Sequence, residues 1–256
     1  MGGYHLRLDP GDDNDRLTYF DMVGHAYTRL VRQLVRAGDC VVDVGANVGH
    51  FSAVCAEQVG PGPAVSTPSK PHAPLFERLR ESSSERPAGP IKVHHFAVSS
   101  KAGRVAFYLA TNCGWSSLVE NETFTTAERV VVPAMTLDQF LSSADIRHIR
   151  LLKLDIEGGE TDALLGARQT LGAGKVDLVL LEAEPKRLQA FGHTGLEIAH
   201  LMAEHGFVPV AYVIVDDIRP VTPALSVPGS FNGDYLHARQ KLSGAVRQAL
   251  SGEFPR

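Results

Sequence analysis

The sequence predicts one α/β domain built on an open, mostly parallel sheet, and three observations carry that expectation. An apolar burst, Cys40-Val41-Val42-Asp43-Val44, runs into Gly45-Ala46-Asn47-Val48-Gly49 and then into a helical stretch, His50 to Val59. This strand, glycine turn and helix form the opening half of a βαβ unit. A second apolar strand, 149–154, ends in Asp155 and leads to a helix over 160–171. Around these, strands alternate with helices at the spacing of parallel crossovers.

The elements follow in order. Residues 1–37 read as a polar lead-in and a helix, because Tyr19, Phe20, Val23, Tyr27, Leu30, Val31 and Leu34 recur near the helical period. Gly38-Asp39 stops it. After the first strand and helix, Gly60-Pro61-Gly62-Pro63 closes the helix, 64–69 is a poor strand and 74–81 a helix. Residues 91–98 read as one strand. Strands at 104–109 and 129–133 bracket a polar insert over 112–126, and Thr136 caps a short helix to 141. Strand 176–181 ends in Glu182. A helix at 196–205, strands at 207–215 and 235–238, and a terminal helix at 240–250 complete the domain, whose body is expected over 38–238, with 239–256 as a helical tail.

Composition excludes several classes. With 256 residues, 44% hydrophobic and 21% charged, the chain has enough apolar side chains for a core and is not a disordered protein. A formal charge of -4 offers no basic field for nucleic acid, and no apolar run approaches the roughly 20 residues of a membrane helix. The start of the chain shows no signal-peptide core. Gly2 is followed by Leu6 where a myristoylation motif needs Ser or Thr. The three cysteines, Cys40, Cys55 and Cys113, form neither a disulfide framework nor a zinc motif and suit a reducing cytoplasm.

The glycine turn is the most informative stretch. Gly45 and Gly49 permit a tight strand-to-helix turn and close backbone approach to a ligand, and the helix that starts there points unpaired N–H groups at the crevice. Asp43 stands near the strand end. The spacing is GxxxG, not the GxGxxG of dinucleotide-binding folds, which weighs against a nicotinamide cofactor. Asp155, Glu157 and Glu160 are gathered behind the second strand, and Asp43, Asp155 and Glu182 each close a strand at the end where open α/β sheets bind ligands. Helix N-termini favour acids in any case, so Glu160 could simply cap its helix.

Two segments, "VVDVGANVGHFS" (41–52) and "RLLKLDIEGGETDALLGARQTL" (150–171), resemble the FkbM-type methyltransferases, as do "HFAVSSKAGRVAFYLATNCGWSSL" (95–118), "VPAMTLDQFL" (132–141) and "VDLVLLEAEP" (176–185). The resemblance covers roughly residues 36–215. It implies the class I methyltransferase fold, a Rossmann-like seven-stranded mostly parallel sheet with helices on both faces, and S-adenosylmethionine as cofactor. It also implies that Asp43, Gly45, Asn47 and Gly49 line the methionine and ribose side, and that Ala97, Val98 and Ser99 lie near the adenine. Asp155 would then sit beside the methionine ammonium or the reacting centre, with Glu157, Glu160 and Glu182 on the acceptor side. A hydroxyl acceptor needs a proton acceptor, for which Asp155, Glu157 or His50 are candidates.

One position departs from the pattern. After the second strand the family has an acid followed by proline, whose carboxylate takes the ribose hydroxyls; here Ser69-Lys70-Pro71 puts Lys70 there. A lysine cannot accept a hydrogen bond, and losing one to a charged group costs roughly 1.5–3 kcal/mol, about ten- to a hundredfold in affinity. Pro63 and Pro68 are also odd for an interior strand. Three readings stay open: Ser69, Thr67 or a water meets the ribose while Lys70 faces solvent; the cofactor binds weakly or the fold serves a non-methylating reaction; or Lys70 meets an anion on another ligand.

The eleven histidines do not form a metal set, since His94 and His95 point to opposite faces of a strand. Asp216-Asp217 reads as an exposed turn, and no metal ligand set is assigned, with a catalytic Mg²⁺ at the acid rim favoured over a structural metal site. Trp115, the single tryptophan, is either a loop anchor or a wall of the acceptor pocket. The tail fits surface packing or a homodimer contact better than a membrane. The expected activity is O-methylation of a small-molecule hydroxyl on a polyketide, sugar or glycoconjugate, with a methyltransferase-like binding protein as the alternative.

Overall fold

The structure is a computed structural model and describes residues 6–11, 13–19, 24–61, 65–69, 73–84, 91–111, 113–120, 125–214, 217–221 and 233–251. Helices α1 (Asp13–Tyr19) and α2 (His25–Leu34) precede β1 (Val41–Val44), α3 (His50–Val59), β2 (Val65–Ser69), α4 (Ala73–Ser84), β3 (Ile91–His95) and β4 (Ala97–Val98). Then come β5 (Gly103–Ala110), β6 (Thr126–Met135), α5 (Leu137–Ser143), β7 (Ile149–Leu154), α6 (Glu160–Leu165), α7 (Arg168–Gly172), β8 (Val176–Glu182), α8 (Pro185–Ala190) and α9 (Gly195–Glu204). The chain closes with β9 (Phe207–Ile214), β10 (Asp217–Pro220), β11 (Asp234–Arg239) and α10 (Ser243–Ser251).

The main sheet has the order β10-β9-β11-β8-β7-β1-β2-β3. Strands β3, β2, β1, β7 and β8 run parallel, and β11 lies antiparallel between β8 and β9. Among the described residues the sheet therefore has eight strands instead of seven and is mixed. The added strand is β10, where the sequence reads as an exposed turn at Asp217: Ile218 pairs with Val213 and Pro220 with Ala211 on the outer edge of β9. A short, charged, proline-ended strand is tolerated at an edge because one side of its backbone needs no partner.

Two further differences have clear causes. Residues 91–98 do not form one strand. The chain bends at Phe96, and β4 leaves the main sheet to pair with β6 in a separate sheet of order β4-β6-β5. The helix expected over 160–171 breaks into α6 and α7. Gly166 passes so close to Ser99 that an added β-carbon would meet its carbonyl oxygen at 2.5 Å, and Asp138 of α5 accepts from the freed N–H groups of Gln169 (3.0 Å) and Thr170 (2.8 Å). Strand β2 forms despite its proline. Of β2, only Val65 and Ser66 pair with β1, so Pro68 lies past the end of that ladder and needs no donor on that side.

Residue alternation on the strands divides the core into two layers. Val42, Val44, Leu152, Leu154, Val179 and Leu181 pack with residues of α5, α6, α7 and α9 on one face. Val41, Leu151, Leu178, Leu180 and Leu236 pack with residues of α2, α3 and α10 on the other. Helices thus cover both faces. The lead-in contributes Ala26, Leu30, Val31 and Leu34, and the tail Val246, to one apolar cluster with the strands. Among the described residues, no helix is long and apolar enough to cross a membrane.

Candidate active site

Asp43 belongs to the face covered by α2 and α3. Fully buried, it accepts from Ser52 Oγ of α3 at 2.6 Å, while its Oδ1 is buried without a hydrogen-bond partner among the described residues. Behind it the chain turns through left-handed residues at Gly45 (φ 87°), Asn47 (φ 50°) and Gly49 (φ 90°), and α3 begins at His50. A β-carbon on Gly45 would stand 1.9 Å from the Asp155 carbonyl oxygen, and Asp155 N donates to the Val44 carbonyl at 3.0 Å. The two sequence motifs are therefore in main-chain contact. His50 lies on the lead-in side, so close beneath Gly24 that a β-carbon there would meet its ring.

Strand register explains why acids collect here. Asp43 stands beside Lys153 of β7, which stands beside Leu180 of β8, which faces Leu236 of β11. Two residues onward on the same face come Asp155, Glu182 and Asp234, with Glu182 and Asp234 directly paired. Lys153 Nζ donates to Asp155 Oδ2 at 2.6 Å and lies 5.5 Å from the centre of the Phe51 ring. The Tyr27 hydroxyl of α2 donates to Asp234 Oδ2.

The loop after β7 is held from both sides. Glu157 (φ 63°) and Gly158 (φ 105°) are left-handed, and a β-carbon on Gly158 would press on the Arg187 carbonyl of α8 at 2.6 Å. Glu160 turns back and accepts from Ile156 N (2.9 Å) and Gly158 N (3.4 Å) while 1% exposed. Glu160 thus braces the loop from within, at the start of its helix. Arg187 donates to both oxygens of Glu182 at 3.0 Å and pairs with Glu157. Carboxylate oxygens of Asp155, Glu157 and Glu182 lie within 4.8 Å of one another, a spacing that suits a shared cation; Arg187 pairs with Glu157 and Glu182, and Lys153 with Asp155.

Burial pushes several of these carboxyls up. Glu182 is held well above the ordinary range by burial and by Asp155 and Glu157, against the opposing pull of Arg187. Asp234 is raised to about 6 by burial and then Asp155. Glu160 is raised to about 7 by burial, against the hydrogen bond from Ile156. For Lys153, burial alone favours the neutral amine, but Asp155, Asp43 and Asp234 outweigh it and the ammonium is strengthened.

The remaining expected residues are spread out. Ser69 closes β2 opposite His95, and Lys70 lies outside the described residues. Ala97 and Val98 are buried in apolar clusters and paired to Ala134 and Met135, so their side chains offer a ligand nothing polar. His94 packs on Phe140 and His95 on Phe76, on opposite sides of β3. Trp115 is 41% exposed on a single helical turn. Its insert is tied to the acid loop because Ser117 Oγ donates to the Glu157 carbonyl at 3.1 Å.

Sequence reasoning missed Lys153, Arg187, Asp234 and Tyr27 as site residues. Lys153 had a signal: a lone cation inside "LLKLD", on a strand buried from both faces, must have charged partners. Pro185 behind an acidic Glu184 likewise marks the start of α8, where Glu184 accepts from Lys186 N (3.1 Å) and Arg187 N (2.7 Å).

The residues present fit S-adenosylmethionine. A buried Asp43 oxygen has no hydrogen-bond partner among the described residues, and acids outnumber Lys153 and Arg187, which suits a cationic ligand. The chain is 25% identical over 187 residues to the hexuronic acid methyltransferase AglP of Haloferax volcanii, covering 70% of this chain and 73% of that one. Among solved structures it resembles a TehB-like methyltransferase from Corynebacterium glutamicum (13% identity, 88% of this chain and 92% of that one, TM-score 0.47). It also resembles Aeropyrum pernix fibrillarin with natively bound S-adenosylmethionine (12%, 84% and 76%, TM-score 0.46). The methyltransferase FkbM domain matches residues 43–209, and the chain belongs to this family of S-adenosylmethionine-dependent methyltransferases.

Proposed function

We propose that the protein methylates a hydroxyl of a small molecule and that a sugar or glycoconjugate is its acceptor. The observation that carries this reading is the main-chain contact between the glycine turn at Gly45 and the acid loop at Asp155. On this reading, the contact joins the turn assigned to the cofactor to the carboxylate assigned to the acceptor. The similarity to a hexuronic acid methyltransferase favours a sugar over a polyketide.

The cofactor supplies a methyl group made electrophilic by a sulfonium. The chain must orient an acceptor oxygen and receive its proton. Asp43, Gly45, Asn47 and Gly49 form the cofactor side, with Ser69 and the main chain at Ala97 and Val98 toward the adenosine. Asp155 is the favoured proton acceptor: its side chain is 36% exposed, against 8% for Glu157 and 21% for Glu182, which are both tied to Arg187. Glu157 and Glu182 then shape the acceptor side, and His50 serves as a wall of the turn.

Methyl-labelled S-adenosylmethionine offered with hexuronic acids, neutral sugars and polyketides tests the reading, with the methyl position determined by mass spectrometry. A methyl ether on a sugar supports it. A methyl on nitrogen or carbon, or no transfer to any hydroxyl by protein that binds S-adenosylhomocysteine, overturns it.

A further inference from the structure

We propose that Lys153 is a positioning residue, the buried counter-ion that keeps the cofactor-side Asp43 ionised and holds the acceptor-side Asp155 carboxylate in place. The inference rests on the residue placement proposed above and deepens it. Lys153 makes a 2.6 Å ion pair with Asp155 and stands beside Asp43 in the β1–β7 register, with both side chains on the face of α3. Lys153 is 5% exposed and Asp43 is 0%, so bulk water screens neither.

The groups facing the lysine come from each element packed around it. They are Asp43 from β1, Asp155 from its own strand, Asp234 from β11 and the Cys55 thiol from α3, with Phe51 below. Tyr27 of α2 and Glu182 of β8 act on the same group through Asp234 and Asp155. Burial pushes the Asp43 carboxyl up, and Lys153 is the strongest influence opposing that rise. Without the cation, buried carboxylates take up protons instead of remaining charged. A protonated Asp43 loses much of its attraction for hydroxyl and ammonium donors on the cofactor. Through this one side chain, cofactor capture and the placement of the acceptor-side carboxylate depend on the same ion.

The test is S-adenosylhomocysteine titration by calorimetry at pH 6.5 and pH 9, for the wild type, Lys153→Met and Lys153→Arg. The wild type should bind with similar affinity at both. Lys153→Met should bind at least about tenfold more weakly at pH 6.5 and recover toward wild type at pH 9, where the carboxyls ionise unaided. Lys153→Arg, which keeps the charge, should restore the flat profile. Should Lys153→Met not fold, the pair Lys153→Met with Asp155→Asn removes one carboxylate along with the cation and should show the same pH dependence through Asp43. Equal loss at both pH values, or no loss, overturns the inference. A wild type that binds at neither pH overturns the cofactor placement, and the inference with it.

Discussion

The carbonyl oxygen of Asp155 occupies the space where a side chain on Gly45 would begin, 1.9 Å from the position of its β-carbon. Both partners of this contact are backbone, so neither can rotate away. Gly45 also has φ 87°, which costs an L-residue roughly 1–2 kcal/mol. Gly45→Ala should lower the melting temperature by at least about 5 °C. It should also abolish S-adenosylhomocysteine binding, because relief of the clash must part the turn from the acid loop. Scanning calorimetry and titration read the two effects, and an alanine variant that binds normally would show that the contact is not needed.

Of Asp155, Glu157 and Glu182, Asp155 has the most exposed side chain. Asp155→Asn should cut turnover by about a hundredfold or more while leaving the melting temperature nearly unchanged. The asparagine can still meet Lys153 with its carbonyl oxygen, so the fold keeps that contact. Equal turnover would remove Asp155 from the proton-transfer role.

Glu160 makes stability depend on pH in a stated direction. Burial raises its folded value to about 7. In the unfolded chain a glutamate titrates at about 4.3. The folded state therefore holds a proton that the unfolded state has lost. This contribution is fully present below the unfolded value and is lost as pH rises through about 7. Glu160→Gln keeps an oxygen to accept from Ile156 and Gly158 but cannot titrate. Its melting temperature should fall less between pH 6 and pH 8 than that of the wild type, and parallel falls would show that Glu160 is not the group responsible.

Trp115 rides on an insert anchored to Glu157 by Ser117. As an acceptor wall it should matter to the acceptor alone. Trp115→Ala should raise the acceptor KM about tenfold, the loss of one to two kcal/mol of stacking, with S-adenosylhomocysteine affinity unchanged. An unchanged KM would leave the tryptophan as a loop anchor.

Much of the scaffold was legible because its signals are local. The apolar run before Gly45, the helix from His50 and the Thr136 cap were read at or near their observed positions. Residues 91–98 were not, because the bend at Phe96 answers to β6, far along the chain. Asp217 read as a turn because nothing local shows that β9 has an edge left to pair. Within the site, Glu160 was legible as an acid at a helix start, but its turn back onto Ile156 depends on a loop whose path is set by α8.

Local sequence encodes the strand–turn–helix units, the glycines that make the turn possible, and the motifs that mark an FkbM methyltransferase. Each of these is encoded within a few adjacent residues, in backbone freedom and side-chain period. Tertiary structure alone decided which charges meet. Lys153 neutralises Asp43 and Asp155 because β1 pairs with β7 in one register, and Arg187 reaches Glu157 and Glu182 because α8 folds over the β7 loop. Coulomb energies in a buried site depend on a few ångströms between distant segments, a distance that no local pattern specifies.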